Sequence, residues 1–428
     1  MENATKVTKK IFKKVEKEKS RQRILGIIIF AIGLFIYFVL SRTTSPEFET
    51  LFVMTPGGSA VTTPDLKFNS LLMINILAII CVAVGIFQYI KGFGKFTNII
   101  LVLVGILLTT SFLTWAARGG SINVGGMLRI MIVRSVPIVL GALSGILCER
   151  AGVVNIAIEG MMITGALIGA VFGSLFGLWI GALAAIIAGG LIAIIHAILS
   201  IKYKVDQIIS GTIINIFTIG ITSYIVTKIL QEREWQYLNE SGIFLPFSIP
   251  VLSKIPFIGP ILFDHKIFVY GMYILVIVLT IALFRTKWGL RLRAVGEHPK
   301  AADTLGINVF KIRYMAVILS GMLAGFAGSY FSLGSAGYFN QSMTAGRGFI
   351  GLAAMIFGNW TPVGSLGAGM LFGFAETLAD NLQLLNFPIP SEILLMVPYI
   401  LTMVVLAGVV GRSRGPAAAG TPYEKESL

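Results

Sequence analysis

Apolar runs long enough to cross a lipid bilayer recur along almost the whole chain, and no other feature limits its fold as strongly. About 20 helical residues span a hydrocarbon core about 30 Å thick. Of the 428 residues, 56% are hydrophobic and only 13% are charged, whereas about a quarter of the residues in a soluble domain are charged. The chain is therefore predicted to be a polytopic membrane protein.

These apolar runs predict an all-α transmembrane bundle of about 10 to 12 segments. The glycine-rich segment 346–358 is short, so we expect some segments to be broken or re-entrant helices buried within the protein. Three residues of 155–173 match three of 340–358 at an offset of 185 residues, a weak pattern that is typical of an inverted repeat. The predicted segments are 24–40, 71–90, 99–117, 127–148, 153–176, 178–201, 208–230, 267–284, 314–334, 346–358, 363–385 and 393–410.

Basic residues are concentrated in four polar stretches that fall on one side of the predicted bundle. Residues 1–23 hold nine Lys or Arg against three Glu, and residues 285–313 hold seven basic residues; 91–98 and 202–206 are the other two stretches. Since Lys and Arg favour cytoplasmic loops, we expect this side and both termini to be cytoplasmic. The formal net charge of +14 is thus explained by topology and membrane lipid rather than by nucleic acid.

Cysteine and histidine are too few and too dispersed to form a metal or thiol site. Cys81 and Cys148 lie in apolar stretches without a CxxC spacing. His196, His265 and His298 fall in a span, an outer loop and a cytoplasmic loop. The chain also lacks the GxxxxGK[ST] motif that cradles nucleotide phosphates. We therefore expect no metal, no cofactor and no catalytic residues.

The polar segment 285–313 contains the pattern of a short helix. Pro299 suits a first helical turn, Ala301, Ala302 and Leu305 give a compact apolar face, and Gly306 suits the end of the helix. A basic loop that only pairs with anionic lipid is the alternative. Such a loop needs charge but no helix closed by glycine, so the pattern favours a helix with a specific partner.

Three stretches of the chain are similar to one family of membrane proteins. GEHPKAADTLGI (296–307) resembles the EAA loop of ABC importer permeases, although Lys300 stands where many members have Glu. CERAGVVNIAIEGMM (148–162) and MTAGRGFIGLAAMIFGNW (343–360) strengthen the match. Together they resemble permeases for simple sugars, branched-chain amino acids and nucleosides, and most closely the nucleoside permeases. The resemblance covers about residues 127 to 410.

This resemblance implies a permease subunit that forms the translocation pathway for a nucleoside or a simple sugar in a bacterial cell membrane. It implies three protein partners: a separate ATP-binding cassette subunit that hydrolyses ATP, a second permease subunit, identical or homologous, and an extracellular substrate-binding lipoprotein. The expected contact with the ATPase lies in the loop 285–313 and comprises Gly296, Glu297, Pro299, Ala301, Ala302 and Gly306.

Four regions follow along the chain. Residues 1–23 are a basic cytoplasmic tail, and residues 24–126 are an N-terminal membrane extension of about three spans. Residues 127–411 are the permease domain, and residues 412–428 are a second cytoplasmic tail.

Polar residues within the predicted spans are candidates for the substrate path, because a charge at bilayer depth usually faces a protein interior or a water-filled path. Glu159 follows Asn155 by four residues, which predicts that the two share a helix face. Arg347 lies between two glycines, and its donors suit a hydroxyl-rich or anionic group. Asn359 and Glu376 complete the candidate set.

Structural interpretations of the same residues stay open beside the path. A satisfied internal hydrogen bond explains Glu159 equally well, and an Arg347 that extends to the membrane interface needs no substrate. We interpret Trp360 as an interfacial anchor. The alternative function is an ion-coupled secondary transporter of a small polar solute, in which Glu159, Glu376 and Asp380 would carry the ion.

Overall fold

The structure is a computed structural model that describes residues 2–384, Met396 and residues 414–425. Two compact units divide the chain. The first holds Met1–Gly126 and Leu382–Pro388, and the second holds Met127–Asn381 and Ile389–Leu428.

The first unit contains three helices and a small sheet. Helix α2 begins where the Asn69 side chain accepts a hydrogen bond from the backbone N–H of Leu72 at 2.9 Å, which caps the helix. Strand β1 pairs with β2 in antiparallel fashion and with β3 in parallel. The elements are α1 (Glu2–Phe35, continued by a π-helical turn Ile36–Ser41), β1 (Glu49–Val53), β2 (Leu66–Asn69), α2 (Ser70–Ile90), α3 (Thr97–Ala116) and β3 (Ser121–Asn123).

The described part of the second unit is mainly helical. Its first half consists of α4 (Val124–Glu149), α5 (Ile158–Phe176), α6 (Leu178–Ala197, continued by a π-helical turn Ile198–Lys202) and α7 (Gln207–Ile225, continued by a π-helical turn Val226–Leu230). The connection that follows holds β4 (Phe247–Ser248), α8 (Ile258–Leu262) and β5 (Asp264–His265), with β4 and β5 antiparallel. Its second half consists of α9 (Ile267–Arg285), α10 (Lys287–Glu297), α11 (Pro299–Thr304), α12 (Val309–Ser329, continued as π-helix over Tyr330–Ala336), α13 (Arg347–Phe357) and α14 (Pro362–Leu384).

Within the described residues, nine helices are long and apolar enough to cross a membrane. They are α1, α2, α3, α4, α5, α6, α7, α9 and α12, several of them counted with their π-helical turns. The prediction of an all-α polytopic bundle is confirmed. The predicted segment 346–358 is the short helix α13, and 363–385 corresponds to α14, whereas 393–410 lies outside the described residues.

Helices α5, α6 and α12 pack with their backbones in direct contact. A Cβ atom built on Gly165 would lie 2.5 Å from the carbonyl oxygen of Gly325. A Cβ atom built on Gly189 would lie 2.7 Å from the Cα atom of Gly325. Lipid gives no hydrophobic drive between helices, so such close approach between small residues is a main source of their association. This three-helix contact forms the centre of the second unit.

The structure adds a helix to the one predicted in 285–313 and moves the start of α12. The segment 285–313 holds two helices rather than one, because Thr286 caps an additional helix, α10, by accepting from the N–H of Gly289 at 3.1 Å. Leu292 and Val295 give α10 a buried face, which the high charge of the segment obscures in the sequence. Helix α12 begins at Val309, one turn earlier than predicted.

Candidate functional site

Helices α10 and α11 fill the connection between α9 and α12, and we call the end of the second unit that carries them the coupling end. Pro299 lies in the first turn of α11, and the Nδ1 atom of His298 caps the helix by accepting from the N–H of Ala301 at 3.1 Å. Gly306 follows the helix with a φ of +79°, a left-handed conformation that favours glycine. The predicted short helix and its glycine terminus are both present.

The predicted apolar face of α11 is wrong in its extent. Ala302 is buried, whereas Ala301 is exposed and Leu305 is 82% exposed. The helix has only six residues, so it turns just one face toward the unit. Ala301 and Leu305 therefore point away from the core and are open to contact with another protein.

Gly296 and Glu297 tie α10 to other segments of the coupling end. A Cβ atom on Gly296 would collide with the carbonyl oxygen of Arg150, in the connection between α4 and α5. The exposed Glu297 carboxylate accepts from the N–H of Ala417 at 3.3 Å. Gly296 is thus a packing residue, and the exposed members of the predicted coupling set are Glu297, Ala301 and Gly306.

Glu159 holds the start of α13. Glu159 is buried, with only 4% of its surface exposed. One carboxylate oxygen accepts from the Thr344 hydroxyl at 2.6 Å and from the N–H of Gly346 at 2.9 Å, and the other accepts from the N–H of Gly348 at 2.7 Å. The first amides of a helix lack intrahelical partners and attract negative charge. The Glu159 carboxylate meets both needs.

Helix α13 is a half-length helix inside the second unit. Its 11 residues extend about 16 Å, which is half of the hydrocarbon thickness. The chain reaches it through a non-helical stretch in which Ser342, Ala345 and Gly346 have positive φ values. Such backbone at membrane depth is tolerated only where protein or a water-filled cavity surrounds it. Helix α13 is thus short, as predicted for 346–358, and its place within the membrane stays a prediction.

Four charged side chains meet near the start of α13, and we call them the arginine–carboxylate cluster. The Arg347 guanidinium lies 3.2 Å from a Glu376 carboxylate oxygen, and Arg134 lies 3.9 Å from the same oxygen. Arg134 also pairs with Asp380. All four side chains are partly accessible to solvent. The cluster joins α4, α13 and α14, and it brings Arg347 and Glu376 together as the sequence alone did not predict.

Asn155 does not share a helix face with Glu159, because α5 begins only at Ile158. Asn155 is fully buried in the connection before α5. Its amide nitrogen donates to the Ser320 hydroxyl at 2.9 Å, and its amide oxygen accepts from the N–H of Ala157 at 3.0 Å. The side chain thus shapes the connection between α4 and α5 and ties it to α12.

Asn359 and Trp360 form the turn between α13 and α14 at the coupling end, and we call this turn the hinge. Both have positive φ values, +52° and +51°, which are uncommon for residues other than glycine. Trp360 is 9% exposed, and its ring N–H donates to Glu149 at 2.6 Å. The Arg150 guanidinium donates to the Trp360 carbonyl at 3.0 and 3.1 Å. The interpretation of Trp360 as an interfacial anchor is wrong, because its polar edge is bonded inside the protein.

Residues 414–425, which we call the C-terminal strap, pack on the coupling end. The N–H of Ala418 donates to the Gly296 carbonyl at 2.9 Å. The Lys204 ammonium donates to Glu424 at 2.5 Å, and this hydrogen bond lowers the pKa of the exposed Glu424 carboxyl. The sequence predicts this segment only as a cytoplasmic tail. The buried Tyr423, an aromatic residue in a small polar stretch, is the one signal that pointed to packing.

The candidate residues therefore form two groups. Glu159, Arg347 and Glu376 surround the start of α13, whereas Asn359 and the coupling residues lie at the coupling end. Among the residues that the structure describes, no group of three or more His, Cys, Asp or Glu side chains is placed to hold a metal ion. The chemistry of both groups is that of hydrogen bonding and ion pairing.

Residues 127–409 match the family described as branched-chain amino acid transport system / permease component. The chain is 43% identical to a guanosine ABC transporter permease protein of Bacillus subtilis over 307 residues, which cover 69% of this chain and 95% of the relative. It is 37% identical to a nucleoside ABC transporter permease protein of Lactococcus lactis over 305 residues, again 69% and 95% of the two chains.

A putative glucose ABC transporter permease protein of Haloferax volcanii is 32% identical over 329 residues, which cover 70% of this chain and 98% of the relative. No solved structure matches the chain. The family model begins at residue 127, so the N-terminal extension lies outside it. The matches confirm the resemblance expected from the three motifs, and they give the ion-coupled alternative no support.

Proposed function

This chain belongs to the branched-chain amino acid transport system / permease component family, and from that premise we propose that it forms the membrane pathway of an ATP-driven importer for nucleosides. It is a multi-pass membrane permease of the ABC transporter class. The observation that carries the nucleoside assignment is the similarity to the guanosine and nucleoside permeases along nearly their entire length.

The family implies an ATP-binding subunit and a substrate-binding protein as partners. We place the ATP-binding subunit on α11, where Ala301 and Leu305 are exposed, and we assign this end and both termini to the cytoplasm. Hydrolysis of ATP takes place on that separate subunit. A second permease chain, identical or homologous, completes the pathway, and an extracellular lipoprotein delivers the nucleoside.

The start of α13 is the part of the second unit best suited to line the pathway. The arginine–carboxylate cluster is partly accessible to solvent and offers Arg347 donors and Glu376 acceptors for ribose hydroxyls or base edges. Glu159 acts beside them by fixing α13, and Asn155 by fixing the connection before α5. At the coupling end, the exposed Asn359 side chain lies where the substrate leaves.

A simple sugar is the second candidate substrate, and the similarity to the putative glucose permease favours it. Nucleosides and sugars share ribose-like hydroxyl groups, so the arginine–carboxylate cluster suits both. The base separates them, because only a nucleoside presents an aromatic ring.

The test is reconstitution of the native complex, purified through this chain together with its partner subunits, in proteoliposomes. With the binding protein and ATP present, we expect uptake of labelled guanosine and stimulation of ATP hydrolysis by guanosine, but no uptake without ATP. Glucose in place of guanosine tests the second candidate in the same vesicles.

Two controls test the dependence on ATP and the role of Arg347 in substrate binding. Vesicles with this chain alone and an imposed proton or sodium gradient should not accumulate guanosine; accumulation there would overturn the assignment to ATP-driven import. Arg347→Gln removes the ion pair with Glu376, and we expect the apparent affinity for guanosine to weaken while the complex still assembles.

A further inference from the structure

The C-terminal strap is anchored at three points to two helices of the coupling end, α10 and α12. Its Ala418 N–H bonds to the Gly296 carbonyl of α10 at 2.9 Å. The Thr421 carbonyl accepts from the Arg313 guanidinium of α12 at 3.0 Å. The Tyr423 ring is buried and lies 5.4 Å from the ring of Phe310. A segment so attached moves when α10 or the start of α12 moves.

The same strap reaches the hinge between α13 and α14. A Cβ atom on Gly415 would lie 3.0 Å from the Trp360 ring, so the strap backbone is in contact with that ring. Trp360 in turn bonds to Glu149 at the end of α4 and precedes α14. The strap therefore contacts both α10, which directly precedes the helix offered to the ATP-binding subunit, and the hinge of the half-length helix.

The strap also forms one wall of a cleft of about 740 Å³ at the coupling end. Glu297, Pro299 and Lys300 line its other wall, at the start of α11. Tyr423 and Lys425 line the strap side. A protein docked on α11 consequently contacts the strap as well.

The anchor between Arg313 and the strap is weak, because the buried guanidinium lacks some of its hydrogen bonds. Arg313 is 2% exposed, and within the described residues its Nε and Nη2 atoms have no hydrogen-bond partner. Buried donors without partners raise the free energy of the packed state. Displacement of the strap would let water reach the guanidinium and would lower this cost. The packed and displaced arrangements therefore differ less in free energy than the buried contacts alone suggest.

We propose that the C-terminal strap transmits movement of α10 and α11 to the hinge at Trp360, and so links ATP hydrolysis to the position of the hinge end of α13, whose start stays held by Glu159. Tyr423 and Gly415 are its positioning residues, the first toward α12 and the second toward the hinge. The proposal rests on the function proposed above, because it takes the partner on α11 to be the ATP-binding subunit.

The primary test is the ratio of guanosine imported to ATP hydrolysed by the reconstituted complex with Tyr423→Ala. We expect the complex to assemble and hydrolyse ATP while this ratio falls by at least about 5-fold, the factor that corresponds to the smallest typical coupling free energy between two sites. Tyr423→Phe retains the buried ring and should stay close to the wild-type ratio. An unchanged ratio in Tyr423→Ala, or an equal loss of uptake and hydrolysis, would overturn the proposal.

A second measurement separates failure of this proposal from failure of the proposed function. Hydrogen–deuterium exchange of residues 358–361 is followed in the complex with and without ATP and vanadate, with no substrate present. In wild type we expect exchange to change at α10, α11 and the hinge together; with Gly415→Val, which displaces the strap from the Trp360 ring, only α10 and α11 should respond. An equal response of the hinge in both proteins would contradict transmission through the strap, whatever the substrate is.

Discussion

Helices α5 and α12 each carry a buried charged side chain near their start, Glu159 and Arg313, and the surroundings of the two side chains differ. Both oxygens of the Glu159 carboxylate are occupied by donors at the start of α13. The Arg313 guanidinium bonds to the Thr421 carbonyl, while two of its nitrogens lack partners among the described residues. A buried charge whose hydrogen bonds are complete fixes a joint, whereas one whose bonds are incomplete leaves a contact that opens at little cost. The start of α13 is a fixed joint, and the strap is a movable one.

Removal of the Glu159 carboxylate is the most severe way to break the fixed joint. In Glu159→Ala, the Thr344 hydroxyl and the N–H groups of Gly346 and Gly348 lose their acceptor, and we expect the free energy of unfolding to fall by about 3 kcal/mol. Heating in detergent, followed by the fraction of protein that stays monodisperse, measures this loss. Glu159→Gln keeps an amide oxygen and should lose less. Equal heat resistance of Glu159→Ala and wild type would contradict the joint.

Gly296 and Gly306 offer a matched pair at the coupling end. Gly296→Ala places a Cβ atom against the Arg150 carbonyl, and overpacking of this kind costs about 1 to 3 kcal/mol. Nothing lies within 4 Å of a Cβ atom on Gly306, so Gly306→Ala costs only the strain of its positive φ, about 1 kcal/mol. Heat resistance should therefore fall further for Gly296→Ala. The reverse order would show that α10 yields more readily than its packing indicates.

The hinge is tested by removing one hydrogen bond and keeping the ring. Trp360→Phe leaves the buried Glu149 carboxyl group without the indole donor that it meets at 2.6 Å, and we expect a loss of about 2 kcal/mol, as for a buried polar group that loses its partner. A double-mutant cycle with Glu149→Leu isolates the bond. If the loss from Trp360→Phe is the same in both backgrounds, the bond does not hold the hinge.

The movable joint should tolerate loss of its charge. Arg313→Met removes a buried cation with unpaired donors, and we expect stability to change by less than about 1 kcal/mol, because the lost desolvation cost offsets the lost bond to Thr421. Hydrogen–deuterium exchange of residues 414–425 should nevertheless become faster. Arg313→Lys, which keeps the charge, is the control. Destabilisation as large as that of Glu159→Ala would erase the difference between the two joints.

Features set by neighbouring residues were predictable from the sequence. Pro299 and Gly306 act through their own backbone geometry, so the ends of α11 followed from their positions. The apolar runs likewise predicted the spans, because hydrophobic length is a local property. The family resemblance came from short motifs of the same kind.

Features set by distant residues were not predictable. The helical pattern from Asn155 to Glu159 fails because the connection before α5 is held by Gln207, which accepts from the N–H of Val154 at 2.6 Å, and by Asn215, which donates to the Ile156 carbonyl at 2.8 Å. These bonds span more than 50 residues. The strap contacts and the bond between Trp360 and Glu149 join residues that are still farther apart along the chain. The roles of the candidate site residues in the substrate path and in coupling stay predictions.

The glycine contacts among α5, α6 and α12 limit how the permease can change shape. Backbones in direct contact leave no side-chain layer to rearrange, so helices that slid past one another here would meet main-chain atoms directly. At the level of these glycines the three helices consequently resist sliding. In the proposed importer, opening toward alternate sides of the membrane then falls to elements outside this contact, including the start of α12, whose contacts are made by side chains that can exchange partners.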